Sequence, residues 1–123
     1  MKTKPITFLL SLFFVFIFIG SVCGEEPEVK REYYDSGKLK SESHFKNGKE
    51  EGLQTGWYKN GRKSESQRYK NGKKEGMKTE WYKSGKKKST SHFKNGIENG
   101  FRKEWNKNGK LTYQGNFVDG NEE

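Results

Sequence analysis

The sequence predicts an all-β fold: an elongated, single-layer antiparallel meander of β-hairpins with a 24-residue period. Three observations carry this. Aromatic residues fall twelve apart at Tyr33, Phe45, Trp57, Tyr69, Trp81, Phe93, Trp105 and Phe117. Glycine keeps the same beat in two interleaved series, Gly37, Gly61, Gly85, Gly109 and Gly48, Gly72, Gly96, Gly120. Between these turn signals lie segments of seven to nine residues, ordinary strand lengths, and no helical period follows residue 28. A fixed internal period marks a repeat architecture. Repeat arrays build extended surfaces rather than deep pockets, so the pattern points to a binding scaffold before an enzyme.

Residues 1–24 come first. Lys2 and Lys4 precede an apolar run from Ile6 to Ile19, broken only by Thr7 and Ser11, and Gly20-Ser21-Val22-Cys23-Gly24 follows. This is the layout of a secretory signal peptide, with cleavage expected between Ser21 and Glu25. The run is shorter than the ~20 residues that span a bilayer. Cys23 is the single cysteine, so no intrachain disulfide can form. Its place at the end of the leader suggests a lipoprotein signal with acylation at Cys23, although Val22 and Gly20 depart from the usual residues. The alternatives are removal with the leader or an unpaired thiol.

Residues 25–32, opening Glu25-Glu26-Pro27-Glu28, read as an N-terminal tether. Two of the 25 Lys and Arg fall in the leader and all 16 acids after it, leaving the exported chain at +7. That chain has few apolar residues and no alanine, too little to fill a two-layer core. The apolar residues must therefore share one face.

The array occupies 33–123 as four units, the last truncated, opening at Tyr33, Trp57, Trp81 and Trp105. Asn-Gly and Asp-Gly tolerate positive φ and mark hairpins. Nearly all apolar residues sit at odd positions, while Lys40, Glu42, His44 and Arg68 sit at even ones. Side chains alternate along a strand, so one face is read as apolar and one as solvated. A two-residue turn would break that parity and a three-residue turn such as Lys59-Asn60-Gly61 keeps it. Three-residue turns with a glycine bulge are therefore expected throughout. Gly52, Gly76 and Gly100 should mark loop ends, bulges or close approaches.

The units Gly48-Lys49-Glu50-Glu51-Gly52 … Trp57-Tyr58-Lys59-Asn60-Gly61 and Gly72-Lys73-Lys74-Glu75-Gly76 … Trp81-Tyr82-Lys83-Ser84-Gly85 resemble the variant MORN repeat, over Tyr33 to Gly120. The resemblance implies rows of β-hairpins in one elongated sheet. Bacterial chains of this type often carry a YwqK-type antitoxin label, and MORN arrays elsewhere serve as protein-interaction or phospholipid-associated modules. Fold follows from such a likeness more firmly than function does.

The aromatic set from Tyr33 to Phe117 is the candidate binding face, for a protein partner above all. Lys73, Lys74, Lys78, Lys83, Lys86, Lys87 and Lys88 form a candidate basic patch for anionic lipid or a cell surface. Lysines also keep sheet edges from pairing, and the rings also serve as core. Self-association is a further expectation; nucleic acid is disfavoured by export. His44 and His92 recur two repeats apart, too far to share a metal. No nucleophile–base set or phosphate loop is present, so no catalysis, cofactor or metal is expected. An exported scaffold and an antitoxin or immunity-type protein are the two functional readings. A signal peptide favours the first.

Overall fold

The computed structural model describes residues 26–123; the segment read as a leader, with Cys23, lies outside the described residues. The strands are β1 (Glu28–Tyr33), β2 (Leu39–Lys46), β3 (Lys49–Glu50), β4 (Gly52–Trp57), β5 (Lys63–Lys70) and β6 (Lys73–Trp81). They continue as β7 (Lys87–Lys94), β8 (Ile97–Glu98), β9 (Gly100–Trp105), β10 (Leu111–Val118) and β11 (Asn121–Glu122). All belong to one antiparallel sheet in the order β1-β2-β4-β5-β6-β7-β9-β10-β11, with β3 on β2 and β8 on β7. No described residue is helical. The meander and its single layer are as the sequence predicts.

The boundary at residue 33 moves. β1 takes in most of the segment read as a tether, because Val29, Lys30 and Arg31 pair with His44, Ser43 and Glu42. Arg31 Nε donates to Glu42 at 2.7 Å across that pair. The acidic opening hid a strand that a single neighbour suffices to hold.

Two kinds of turn alternate. In the first, the N–H of Tyr34, Tyr58, Tyr82 and Asn106 donates to the carbonyls of Lys38, Arg62, Lys86 and Lys110 at 2.8–2.9 Å. Each encloses three residues ending in a left-handed glycine, such as Gly61 at φ 84°. In the second, Lys46 pairs with Lys49 around Asn47-Gly48, and both central residues are left-handed, φ 52° and 71°. Asn71-Gly72, Asn95-Gly96 and Asp119-Gly120 repeat this two-residue primed turn. The expectation of three-residue turns throughout therefore holds at one end of the strands and fails at the other.

Parity fails with it. After each three-residue turn the register slips: Trp57 pairs with Lys63 but Gly56 with Glu65, so Ser64 is an extra residue. Lys40, Lys88 and Thr112 are extra at the equivalent places. A one-residue bulge exchanges the two faces of everything after it. Leu53 consequently pairs with Arg68, and Met77 with His92. The odd-numbered residues are not one face of the sheet. Gly52 and Gly100, at φ 98° and 118°, interrupt the ladder where β3 gives way to β4 and β8 to β9.

Among the described residues no apolar side chain is fully buried; the buried ones are Thr55, Gln67 and Thr79, all polar. Cohesion comes from the ladder and from half-buried rings lying along the sheet.

Candidate functional site

Following the register from strand to strand places Phe45, Tyr69, Phe93 and Phe117 together on one face, each half-buried. Lys30 Nζ sits 4.7 Å from the Phe45 ring centre and Lys74 Nζ 4.9 Å from that of Phe93. Cations over ring faces are attracted by the ring quadrupole. The same face carries a shallow polar hollow of about 230 Å³, lined in part by Ser41, Ser43, Gln54, Gln67 and Lys78. Gln54 completes the ladder there: its Oε1 accepts from the His44 N–H at 3.1 Å and its Nε2 donates to the His44 carbonyl at 2.9 Å.

Trp57, Trp81 and Trp105 end β4, β6 and β9, and Tyr33 ends β1. Alternation along β4 puts Trp57 on the side of Leu53 and Thr55, opposite Gln54. The eight aromatics expected to share a face are thus split four and four by the bulges and the two-residue turns together.

On the tryptophan side runs a second periodic feature. Val29, Leu53, Met77 and Phe101 recur every 24 residues and are 40%, 38%, 51% and 57% exposed. Each faces a polar cross-strand partner, respectively His44, Arg68, His92 and Asn116. Successive members stand two strands apart, roughly 10 Å. The row crosses the sheet with no layer over it among the described residues. Its signal was the 24-residue phase of four apolar residues, which parity alone obscured.

The candidate basic patch is dispersed. Lys73 flanks an Asn-Gly turn, Lys74 lies against Phe93, and Lys78 is bound to Glu80 at 3.1 Å and Glu65 at 3.9 Å. Lys83, Lys86, Lys87 and Lys88 are exposed at the other end of the nine-residue β6. That strand spans about 30 Å.

The two long edges of the ribbon are tied differently. At the three-residue turns, the Tyr34, Tyr58 and Tyr82 hydroxyls donate to the carbonyls of Trp57, Trp81 and Trp105 at 2.6, 2.6 and 2.8 Å. Each bond joins one repeat to the next. Asn60 Nδ2 reaches the Lys83 carbonyl at 2.8 Å, and Arg62 the Ser84 carbonyl. At the Asn-Gly turns the joints are backbone: Gly72, Gly96 and Gly120 N–H donate to the Glu50, Lys74 and Glu98 carbonyls at 2.9 Å each. There Glu51 and Glu75 carboxylates also accept from the Asn71 and Asn95 N–H, at 2.6 and 2.9 Å.

Titration is perturbed at a few places. Partial burial pushes the Glu80 carboxyl up, but hydrogen bonds from Ser89 and Lys78 outweigh it and hold it below the usual carboxylate range. The Glu122 carboxylate accepting from Tyr113 at 2.5 Å pushes that phenol up to about 12. His44 Nε2 lies 3.2 Å from Glu42 and His92 Nδ1 3.1 Å from the Phe101 carbonyl. Among the described residues no three His, Cys, Asp or Glu side chains converge to hold a metal.

The family model of the MORN repeat variant matches residues 29–47, 74–95 and 98–119. The stretch between the first two matches contains the β4–β5 hairpin, which keeps the same register slip. No curated protein matches the chain. A solved structure, the crystal structure of accessory secretory protein 1,2 and 3 in Streptococcus pneumoniae, is similar at 18% identity with a TM-score of 0.42. The similarity covers 75% of this chain and 17% of that one.

Proposed function

The chain belongs to the MORN repeat variant family, and from that membership we propose that it is an exported, non-catalytic scaffold that binds a protein partner across the open face of its sheet. One observation carries the reading: Val29, Leu53, Met77 and Phe101 form a regular exposed apolar row with nothing packed over it among the described residues. Apolar patches of this kind, rimmed by polar groups, mark interaction sites. His44, Arg68, His92 and Asn116 alternate with the row and supply the polar rim. A flat sheet face without a convergent set of titratable groups suits recognition, not chemistry. The leader over residues 1–24 supports export, and acylation at Cys23 would tether the ribbon to a membrane surface.

Site-specific photo-crosslinking in the native host tests the face. A photoreactive residue at position 101 is expected to yield one discrete adduct, which disappears when Met77→Ser is added and folding is retained. A photoreactive residue at position 49, on the Asn-Gly edge, should yield none. Adducts of equal yield at both positions, or none at 101, would sink the reading. Identification of the adduct as a co-encoded toxin would favour the antitoxin alternative. Intact mass of the native protein tests export; a chain still beginning at Met1 overturns it, and added acyl mass on Cys23 establishes the tether.

A further inference from the structure

The three-residue turns collect charge. Segments 33–40, 57–64, 81–88 and 105–112 include these turns with the strand ends around them, and together carry eleven Lys and Arg against a single acid, Asp35. The opposite edge, segments 46–51, 70–75, 94–99 and 118–123, carries six Lys and Arg against seven acids. The excess positive charge of the whole ribbon therefore lies along one edge. It has the form of four teeth, each with two to four cations, set two strands or roughly 10 Å apart. That spacing is comparable to the ~8 Å screening length at physiological ionic strength, so neighbouring teeth act on a ligand together.

The teeth are held in place. The tyrosine hydroxyl bonds from Tyr34, Tyr58 and Tyr82 join each tooth to the next. Arg62 and Asn60 bind carbonyls of the following turn. Among the described residues only one tooth cation is ion-paired, Lys40 with Glu32 at 3.9 Å, and at the far edge Glu51 and Glu75 are occupied by turn amides.

We propose that this edge is a binding site for an extended polymer that carries a phosphate at every unit, laid lengthwise along the teeth. A single phosphodiester strand presents a charge about every 3.4 Å, so roughly three per tooth, close to the cations each tooth offers. A row matches a chain better than it matches a plane. The turn tips Asp35-Ser36-Gly37, Lys59-Asn60-Gly61, Lys83-Ser84-Gly85 and Lys107-Asn108-Gly109 contain no apolar side chain to enter a membrane interface. The site is separate from the apolar row and stands whether or not that row binds a protein.

Long-chain inorganic polyphosphate is the probe, with the full chain and two matched triple variants. Lys38→Gln, Lys86→Gln and Lys110→Gln remove three exposed cations from the toothed edge. Lys46→Gln, Lys70→Gln and Lys94→Gln remove three exposed cations from the other edge. The first variant should lose at least about tenfold in affinity, and its slope of log affinity against log salt should flatten by about 2. The second should bind as the parent does. Tripolyphosphate, too short to bridge teeth, should bind more than about tenfold weaker per phosphate than the long chain. Single-stranded DNA showing the same edge dependence would add a second source of the same repeated phosphate. Equal losses in both variants would reduce the effect to net charge and overturn the site. Tripolyphosphate equalling the long chain would overturn it, as would edge-dependent binding confined to anionic vesicles.

Discussion

The two edges of the ribbon perform one task with different chemistry. Both must hold each hairpin against the next, about 10 Å away. The Asn-Gly edge does so with backbone: glycine N–H groups donate to carbonyls of the preceding repeat, and Glu51 and Glu75 fill in beside them. The toothed edge does so with side chains: tyrosine hydroxyls cross to tryptophan carbonyls. An edge tied by backbone and carboxylates ends near neutral. An edge tied by neutral phenols leaves most of its lysines without a carboxylate partner, Lys40 with Glu32 being the ion pair among the described residues. The difference in stitching thereby becomes a difference in what each edge can bind.

The largest expected effect tests the phenol joints. Tyr82→Ala removes a half-buried ring and its bond to Trp105, and should cost about 3 kcal/mol, on a par with Trp81→Ala. Tyr82→Phe should cost only about 1 kcal/mol, the hydroxyl's share. Urea melts that find Tyr82→Ala near neutral would dissolve the distinction between the edges. Next comes backbone strain. Asn71 sits at φ 49°, so Asn71→Val should cost about 2 kcal/mol. Asn60→Val, outside the left-handed region, should lose only two exposed side-chain bonds, to the Lys83 carbonyl and from the Arg62 N–H, about 1 kcal/mol together. Equal losses in thermal melts would contradict the two turn assignments.

A smaller effect concerns the carboxylate joints. Glu75→Ala deprives the Asn95 N–H of its acceptor and should cost about 1 kcal/mol, whereas Glu75→Gln keeps an acceptor and should cost less. The smallest effect is pH-dependent. Glu80 is held below its unfolded value of 4.5, so its contribution is present above that pH and is lost as pH falls through the folded value. Glu80→Gln should accordingly lower the melting temperature near neutral pH and make it less sensitive to acid between pH 4.5 and lower. Parallel acid profiles for variant and parent would remove Glu80 from the account.

Much of this architecture was legible. Glycine and aromatic residues at a common period could only be turns and strands, so meander, layer count and period followed. What misled was Ser64, with Lys40, Lys88 and Thr112: a bulge residue needs no special side chain, yet each one turns the sheet over. Only without these bulges, and without the two-residue turns that also exchange parity, do the eight rings fall on one face and the apolar row merge with them. Tyr34, Tyr58 and Tyr82 escaped for another reason. They sit one residue off the aromatic beat, and their hydroxyls seek carbonyls 23 residues away, which no local pattern announces. The dispersed basic patch was read from proximity in sequence, and a strand about 30 Å long separates its two halves.

The bulge that confused the faces also gives the molecule a unit of length. Every repeat contains one bulge, one two-residue turn and one three-residue turn, so rows, rings and teeth come back into phase after 24 residues. Duplicating or excising one such unit lengthens or shortens the ribbon by about 10 Å and leaves every remaining joint with its proper partner. A change of twelve residues would instead set a three-residue turn where Asn-Gly belongs and exchange the edges. The ribbon is a ruler graduated in whole hairpins, and its reach is set by counting them.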